Sequence, residues 1–214
     1  MDYRYLAHSI GGFIQQAAVC YVQRGYWFYV TGDIPPKKDP TQIDRLLLDK
    51  YEINLSKYQR CRRKHCGQAS VQYLRYQNTF LLLATSGAHP FFTREHRIRD
   101  ARRFPIHLFG YTLTYQNGHA LVGLDRGTYR NLEAYFLELA VHRKAETLAR
   151  EFSKIPFEPY APVYRQIFSI WKAVNDKRKT AGFDPLPYSA LRMKRRIYRP
   201  FEPPSDPSGQ EILN

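Results

Sequence analysis

Residues 105–125 read PIHLFGYTLTYQNGHALVGLD, and this stretch decides the fold class. Asn117-Gly118 is a dipeptide that accepts positive φ at both positions, which a type I′ turn requires and which matches the twist of antiparallel strands. A two-residue loop there pairs Tyr115 with Ala120, Leu113 with Val122 and Tyr111 with Leu124. Together with Phe109 these residues make one apolar face, so Tyr111 and Tyr115 are packing residues. Extended further, the same register sets His107 opposite Thr128.

Two other segments have the same form. VQYLRY, then Gln77-Asn78, then TFLLLATSG gives a second hairpin, whose return strand is nearly continuously apolar and so reads as a buried central strand. AVCYVQ, then Arg24-Gly25, then YWFYVTG gives a third. There Ile10, Phe13, Ala17 and Tyr21 also fit a helical period, so only Tyr26 to Thr31 is assigned to a strand. Helices fill the gaps. Residues 40–52 carry Ile43, Leu46 and Leu47 on one face, with Asp39 as N-cap and Pro40 at the first position. Residues 56–66 have Ser56 as a cap, Gly67 as a stop and a thin apolar face. Residues 128–153 have Leu132, Tyr135, Phe136, Leu139, Leu148 and Phe152 at helical spacing and are expected to form the longest helix. Residues 162–179 repeat the pattern, ending in Lys177, Arg178 and Lys179 at the negative end of the helix dipole. The expected fold is α+β: a mostly antiparallel sheet built from hairpins, flanked by helices, with two long C-terminal helices. Residues 1–181 read as one domain and 182–214, with six of the 14 prolines, as an extended basic arm and tail.

The composition narrows the function classes. Hydrophobic residues make up 43% of the 214, enough to build a core and to exclude wholesale disorder. No apolar run reaches membrane-span length, and the first residues do not read as a signal peptide. Three cysteines, Cys20, Cys61 and Cys66, make a disulfide framework an unfavoured reading, so an intracellular, reducing, cytoplasmic setting is expected. The charge is the unusual feature: 33 Lys plus Arg against 19 Asp plus Glu gives +14. A field of that sign points to a polyanionic partner.

Much of this charge is clustered. Residues 57–64 hold Lys57, Arg60, Arg62, Arg63 and Lys64 with no acid, and Lys57, Arg60 and Lys64 share a helix face. Residues 94–103, REHRIRDARR, include Arg97, Arg99, Arg102 and Arg103. Residues 192–199 include Arg192, Lys194, Arg195, Arg196 and Arg199. Such clusters grip phosphates without reading sequence. Aromatic rings lie among them: Tyr58 in the first, Tyr198 in the third, and Arg75 beside Tyr76 near the tip of the second hairpin. Base stacking on such rings is open chiefly to unpaired strands. The expected partner is therefore structured RNA or single-stranded DNA, within a ribonucleoprotein or mobile-element complex. A protein-interaction subunit with an acidic partner is a further alternative.

Signals for chemistry are weaker. Cys61, His65 and Cys66 lack the second ligand pair of a zinc site, so no metal site and no cofactor are expected. Glu95, His96 and Asp100, with His96 and Asp100 one helical turn apart, make half of a metal-dependent nuclease site that Asp125 or Asp33 would complete around Mg²⁺ or Mn²⁺. A tyrosine-rich basic protein with an antiparallel sheet also resembles in layout the HUH endonucleases and related transposases, which nick single strands with a tyrosine. Ile106-His107-Leu108 and Gly118-His119-Ala120 each supply only one histidine of that family's His-hydrophobe-His triplet. The resemblance implies Tyr129 or Tyr135 as nucleophile. No phosphate-binding Gly-rich loop, nucleophile elbow or dinucleotide fingerprint occurs.

Overall fold

The computed structural model describes residues 3–193 and 196–203. It is an α+β structure with two antiparallel sheets, and the chain divides into two compact units, residues 1–100 with 197–214 and residues 101–196.

In the first unit the elements are α1 (Ile10–Gln15), a π-helix (Gln16–Tyr21), a 3₁₀ turn (Val22–Arg24), β1 (Phe28–Asp33), α2 (Pro40–Lys50), α3 (Lys57–His65), β2 (Val71–Tyr76), β3 (Thr79–Ala84), α4 (Phe91–Arg94) and β4 (Arg99–Asp100). The sheet order is β2-β3-β1-β4. β2 and β3 form the expected hairpin about Gln77-Asn78, with Tyr76 opposite Thr79. β3 is indeed central, and Leu81 to Ala84 are buried on both faces. One face packs Val30, Val71, Tyr73, Leu82 and Ala84 against Tyr51, Ile53 and Phe91.

The third hairpin, left open between strand and helix, does not form, and the strand assigned to Tyr26 to Thr31 runs instead over Phe28–Asp33. Residues 10–24 are helical throughout, and Gly25, at φ 94°, ends that helix in the left-handed conformation rather than turning a hairpin. Phe13, Ile14, Ala17, Ala18, Tyr21 and Val22 are buried at helical spacing, so tertiary packing overrides the β-branched and aromatic character of AVCYVQ. Helix α2 starts as expected on Asp39 and Pro40, but its face is different: Leu46 is 64% exposed, and the buried residue is Asp44. Helix α3 carries a full capping box from Ser56 and Gln59.

The second unit comprises β5 (Ile106–Leu108), β6 (Tyr111–Gln116), β7 (His119–Leu124), α5 (Arg126–Leu139), α6 (Ala145–Ser153), α7 (Ala161–Thr180) and a 3₁₀ turn (Tyr188–Leu191). β6 and β7 pair in the expected register, and Asn117 and Gly118 both have positive φ. Phe109 and Gly110 also have positive φ and make a second two-residue turn. His107 therefore faces Thr112 rather than Thr128, and Phe109 leaves the strand face. The sheet packs on α7 through Val163, Ile167, Ile170 and Val174, all buried.

The expected helix 128–153 is broken into α5 and α6, and α7 is the longest helix. The break follows from α7. Buried Arg178 donates to the carbonyls of Ala140 (2.6 Å) and Arg143 (2.8 Å), while Lys177 donates to Leu137 (2.8 Å). These cations cap the negative end of α5 and satisfy carbonyls that a continued helix would use internally.

In the region expected to be an arm, Leu186, Ala190 and Leu191 are buried. Residues 197–203 lie on α1: Gln15 binds the Tyr198 backbone on both sides, and His8 donates to the Pro200 carbonyl at 2.9 Å. Gly11 permits this approach, since a Cβ there would meet the Tyr198 ring at 2.3 Å. The expected tail, 204–214, lies outside the described residues.

Candidate nucleic-acid interface

An open groove of about 1010 Å³ runs over the first unit. Its walls come from four places in the sequence: Tyr3 and Arg4; the π-helix and following turn, with Gln16, Cys20, Tyr21, Arg24 and Tyr26; the loop and first turn of α3, with Asn54, Leu55, Ser56, Lys57, Tyr58, Gln59 and Arg60; and Gln72 with Phe201. Four cations, Arg4, Arg24, Lys57 and Arg60, line it, and among the described residues no Asp or Glu does. Lys57, Arg4 and Arg24 are exposed and have no carboxylate partner among the described residues.

Local chemistry sets each wall. The π-helix closes a wide turn in which Val22 N–H reaches back to the Ala17 carbonyl. Such segments are rare and are frequently found at functional sites. Here it turns Gln16, Cys20 and Tyr21 toward the groove. The capping box starts α3 so that Lys57 and Tyr58 sit in its first turn, and Arg60 donates to the Leu55 carbonyl. Tyr58 is 85% exposed. On the floor the Tyr3 hydroxyl, 2.9 Å from both Gln72 Oε1 and the Tyr73 carbonyl, accepts the Tyr73 N–H at 2.9 Å. Tyr21 and Tyr26 pack at 5.8 Å between ring centroids. Burial pushes the Tyr3 and Tyr21 phenols up, so both stay neutral.

Of the residues expected to bind nucleic acid, the groove gathers Lys57, Tyr58 and Arg60. Arg62 and Lys64 are exposed on α3 outside it, and Arg63 pairs with Glu52. Arg75 is a correction. Its Nε and Nη2 donate to Asp44 (2.8 and 2.7 Å) and its Nη1 to the Gln77 carbonyl (2.6 Å), so the guanidinium is spent inside the protein. Burial alone would lower it, but the Asp44 carboxylate more than offsets this and holds it above its ordinary value. Tyr76 is half-buried on β2. Tyr198 is half-buried, with its ring beside Gly11. Arg97 and Arg99 are exposed in the first unit and Arg102 and Arg103 in the second; after Arg94 ends α4, residues 95–103 are coil, a two-residue strand and a turn rather than a helix. Arg192 and Arg196 are exposed, Arg199 pairs with Glu202 at 3.1 Å, and Lys194 and Arg195 lie outside the described residues.

Sequence reasoning missed Arg4, Arg24, Tyr3, Tyr21 and Tyr26. A signal existed in Tyr3-Arg4-Tyr5 and Arg24-Gly25-Tyr26, where single arginines sit among tyrosines, but a search for dense charge passes over them.

The catalytic candidates do not assemble as expected. His96 and Asp100 are not one helical turn apart, because Arg99–Asp100 is a strand. Glu95 accepts from Lys50 (3.0 Å) and from the Tyr51 hydroxyl. Asp125 caps α5, accepting from the Thr128 N–H (2.8 Å) and hydroxyl (2.9 Å). Burial pulls its carboxyl up, but these bonds and the Gly127 N–H outweigh it and leave the group below its ordinary value. Tyr129 donates to Glu133 at 3.0 Å; burial and that carboxylate raise its phenol, which disfavours the phenolate a nucleophile needs. Tyr135 is 47% exposed on α5. Among the described residues no three His, Cys, Asp or Glu side chains converge to hold a metal. No helix among them is long and apolar enough to cross a membrane.

No protein-family model matches this chain, and comparison with curated proteins and with solved structures likewise gives no match.

Proposed function

We propose that the groove of the first unit binds a single-stranded segment of nucleic acid, in structured RNA or single-stranded DNA, with the chain serving as a binding component of a nucleoprotein complex. The observation that carries this reading is the lining: four cations, five aromatic rings (Tyr3, Tyr21, Tyr26, Tyr58 and Phe201) and, among the described residues, no acid. Cations neutralise phosphates, and an exposed ring such as Tyr58 offers its face to an unpaired base. A duplex keeps its bases stacked on one another and gains nothing from such a ring. The volume lies at the top of the range of about 300–1,000 Å³ typical of small-molecule sites, which suits a stretch of polymer.

Anisotropy titrations with a labelled oligonucleotide, single-stranded or annealed to its complement, test this. The single strand is expected to bind more tightly than the duplex. Tyr58→Ala should weaken single-strand binding by about 1–3 kcal/mol and leave duplex binding unchanged. Equal affinities for both forms, insensitive to Tyr58, sink the reading.

A further inference from the structure

A second feature, in the other unit, is not used by the groove. Along α7, Tyr164, Phe168 and Trp171 follow one another at i, i+4 and i+7, a stripe distinct from the buried Val163, Ile167, Ile170 and Val174. Phe168 and Trp171 stack with centroids 5.7 Å apart and planes 24° from parallel. Tyr188, from the 3₁₀ turn, stands edge-on to Trp171 at 5.9 Å and its hydroxyl is 2.8 Å from that of Tyr164. Phe168 is 38% and Tyr188 61% exposed. Trp171 Nε1 is buried without a hydrogen-bond partner among the described residues. A buried indole N–H ordinarily finds an acceptor, so Trp171 carries an unmet donor beneath the exposed rings.

The charge beside the rings selects the ligand. Arg165 precedes Phe168 by one turn and Lys172 follows it by one, so the two cations bracket the ring roughly 10 Å apart along the helix. Both are exposed, neither has a carboxylate partner among the described residues, and the next acid on the helix, Asp176, lies a turn beyond Lys172. Clustered exposed rings of this size mark interaction sites. Arg165 keeps only a 3.3 Å hydrogen bond from its Nε to the Ala161 carbonyl, and rings between two exposed cations without carboxylate partners fit unpaired bases joined by phosphates. An aliphatic protein surface would gain neither the stacking nor the charge neutralisation.

We propose that the α7 platform of Phe168, Trp171 and Tyr188, flanked by Arg165 and Lys172, is a second contact for single-stranded nucleic acid. It shares the ligand class proposed for the groove and rests on that reading, yet its residues are separate and separately testable.

The chain has two tryptophans, Trp27 and Trp171. In full-length Trp27→Phe, Trp171 is the one fluorescent indole, and titration with a short single-stranded oligonucleotide is expected to quench it. Arg165→Ala with Lys172→Ala should reduce that quenching, and Phe168→Ala should weaken it roughly tenfold in oligonucleotide concentration, with Phe168→Tyr restoring it. Alanine at Lys57 and Arg60, in the groove, should leave the Trp171 response in place. If anisotropy reports binding while Trp171 emission stays constant, the platform proposal fails and the groove reading stands. If polyglutamate quenches Trp171 as strongly as the oligonucleotide does, the platform serves an acidic protein partner and the proposal is overturned. If no oligonucleotide binds at all, both readings fall.

Discussion

Among the described residues each unit buries one arginine, and the two are held by different chemistry. In the first, Arg75 makes a two-pronged pair with the fully buried Asp44, which also accepts the Tyr73 hydroxyl at 2.5 Å. Burial, then the Asp44 carboxylate, pushes that phenol up and keeps it a donor. In the second, the partners of Arg178 are carbonyls, those of Ala140, Arg143 and Asp184, with the Phe183 ring 5.5 Å from the guanidinium. Arg75 locks a helix to a sheet by charge. Arg178 ends one helix and fixes the chain leaving another by filling orphan acceptors. Arg75 and Asp44 cancel within the +14, whereas Arg178 takes one uncompensated positive charge out of the surface, so a formal charge is no direct measure of how much cation faces a ligand.

Removing the first lock has the larger expected effect. Asp44→Ala strands a buried guanidinium and should cost about 3–5 kcal/mol in urea unfolding, whereas Asp44→Leu with Arg75→Met together should recover most of it. A double variant no more stable than the single one would break the comparison. Arg178→Met leaves carbonyls unpaired that no apolar neighbour can satisfy, and a loss of about 1.5–3 kcal/mol is expected. Because the partners are backbone atoms, no compensating second substitution should restore it.

The smallest effect separates the units by pH. His89 Nδ1 accepts the Phe91 N–H at 3.0 Å. Burial first, and then the charge of Arg63, hold the imidazole below its ordinary 6.5. The unfolded chain then binds a proton that the folded chain refuses, so this contribution to stability is present above 6.5 and is lost as pH falls below it. Asp125, held below its ordinary 3.8, contributes stability above that value and loses it only on further acidification. Hydrogen exchange followed from neutral pH downward should show the Phe91 amide loosening before those at the start of α5. Simultaneous loosening would contradict these assignments.

The parts of the fold that were legible from the sequence are those fixed by neighbours in the chain. Asn117-Gly118, Gln77-Asn78, the Asp39-Pro40 start and the Ser56 capping box each carry their own geometry, and each forms. The misses depend on distant residues. The end of α5 has no glycine or proline to announce it, because its cap is Arg178, 38 residues on from Ala140. Nothing local marks Asp44 as a buried residue, because its partner Arg75 lies 31 positions away. Residues 17–23 were ambiguous between strand and helix, since β-branched and aromatic residues suit either once buried. The candidate site was half legible: the dense charge of α3 pointed to Lys57, Tyr58 and Arg60, while Arg4 and Arg24 join them only through the fold.

The central claim is that the cation-lined groove in the first unit holds phosphates of an unpaired strand. Its most direct measurement is the salt dependence of single-strand affinity for the unaltered chain and for the variant with Arg4, Arg24, Lys57 and Arg60 all changed to alanine. The account predicts a weaker complex whose log–log salt slope is shallower by about 0.7 for each cation removed. An unchanged slope and affinity, in a variant that remains folded by circular dichroism, would contradict it.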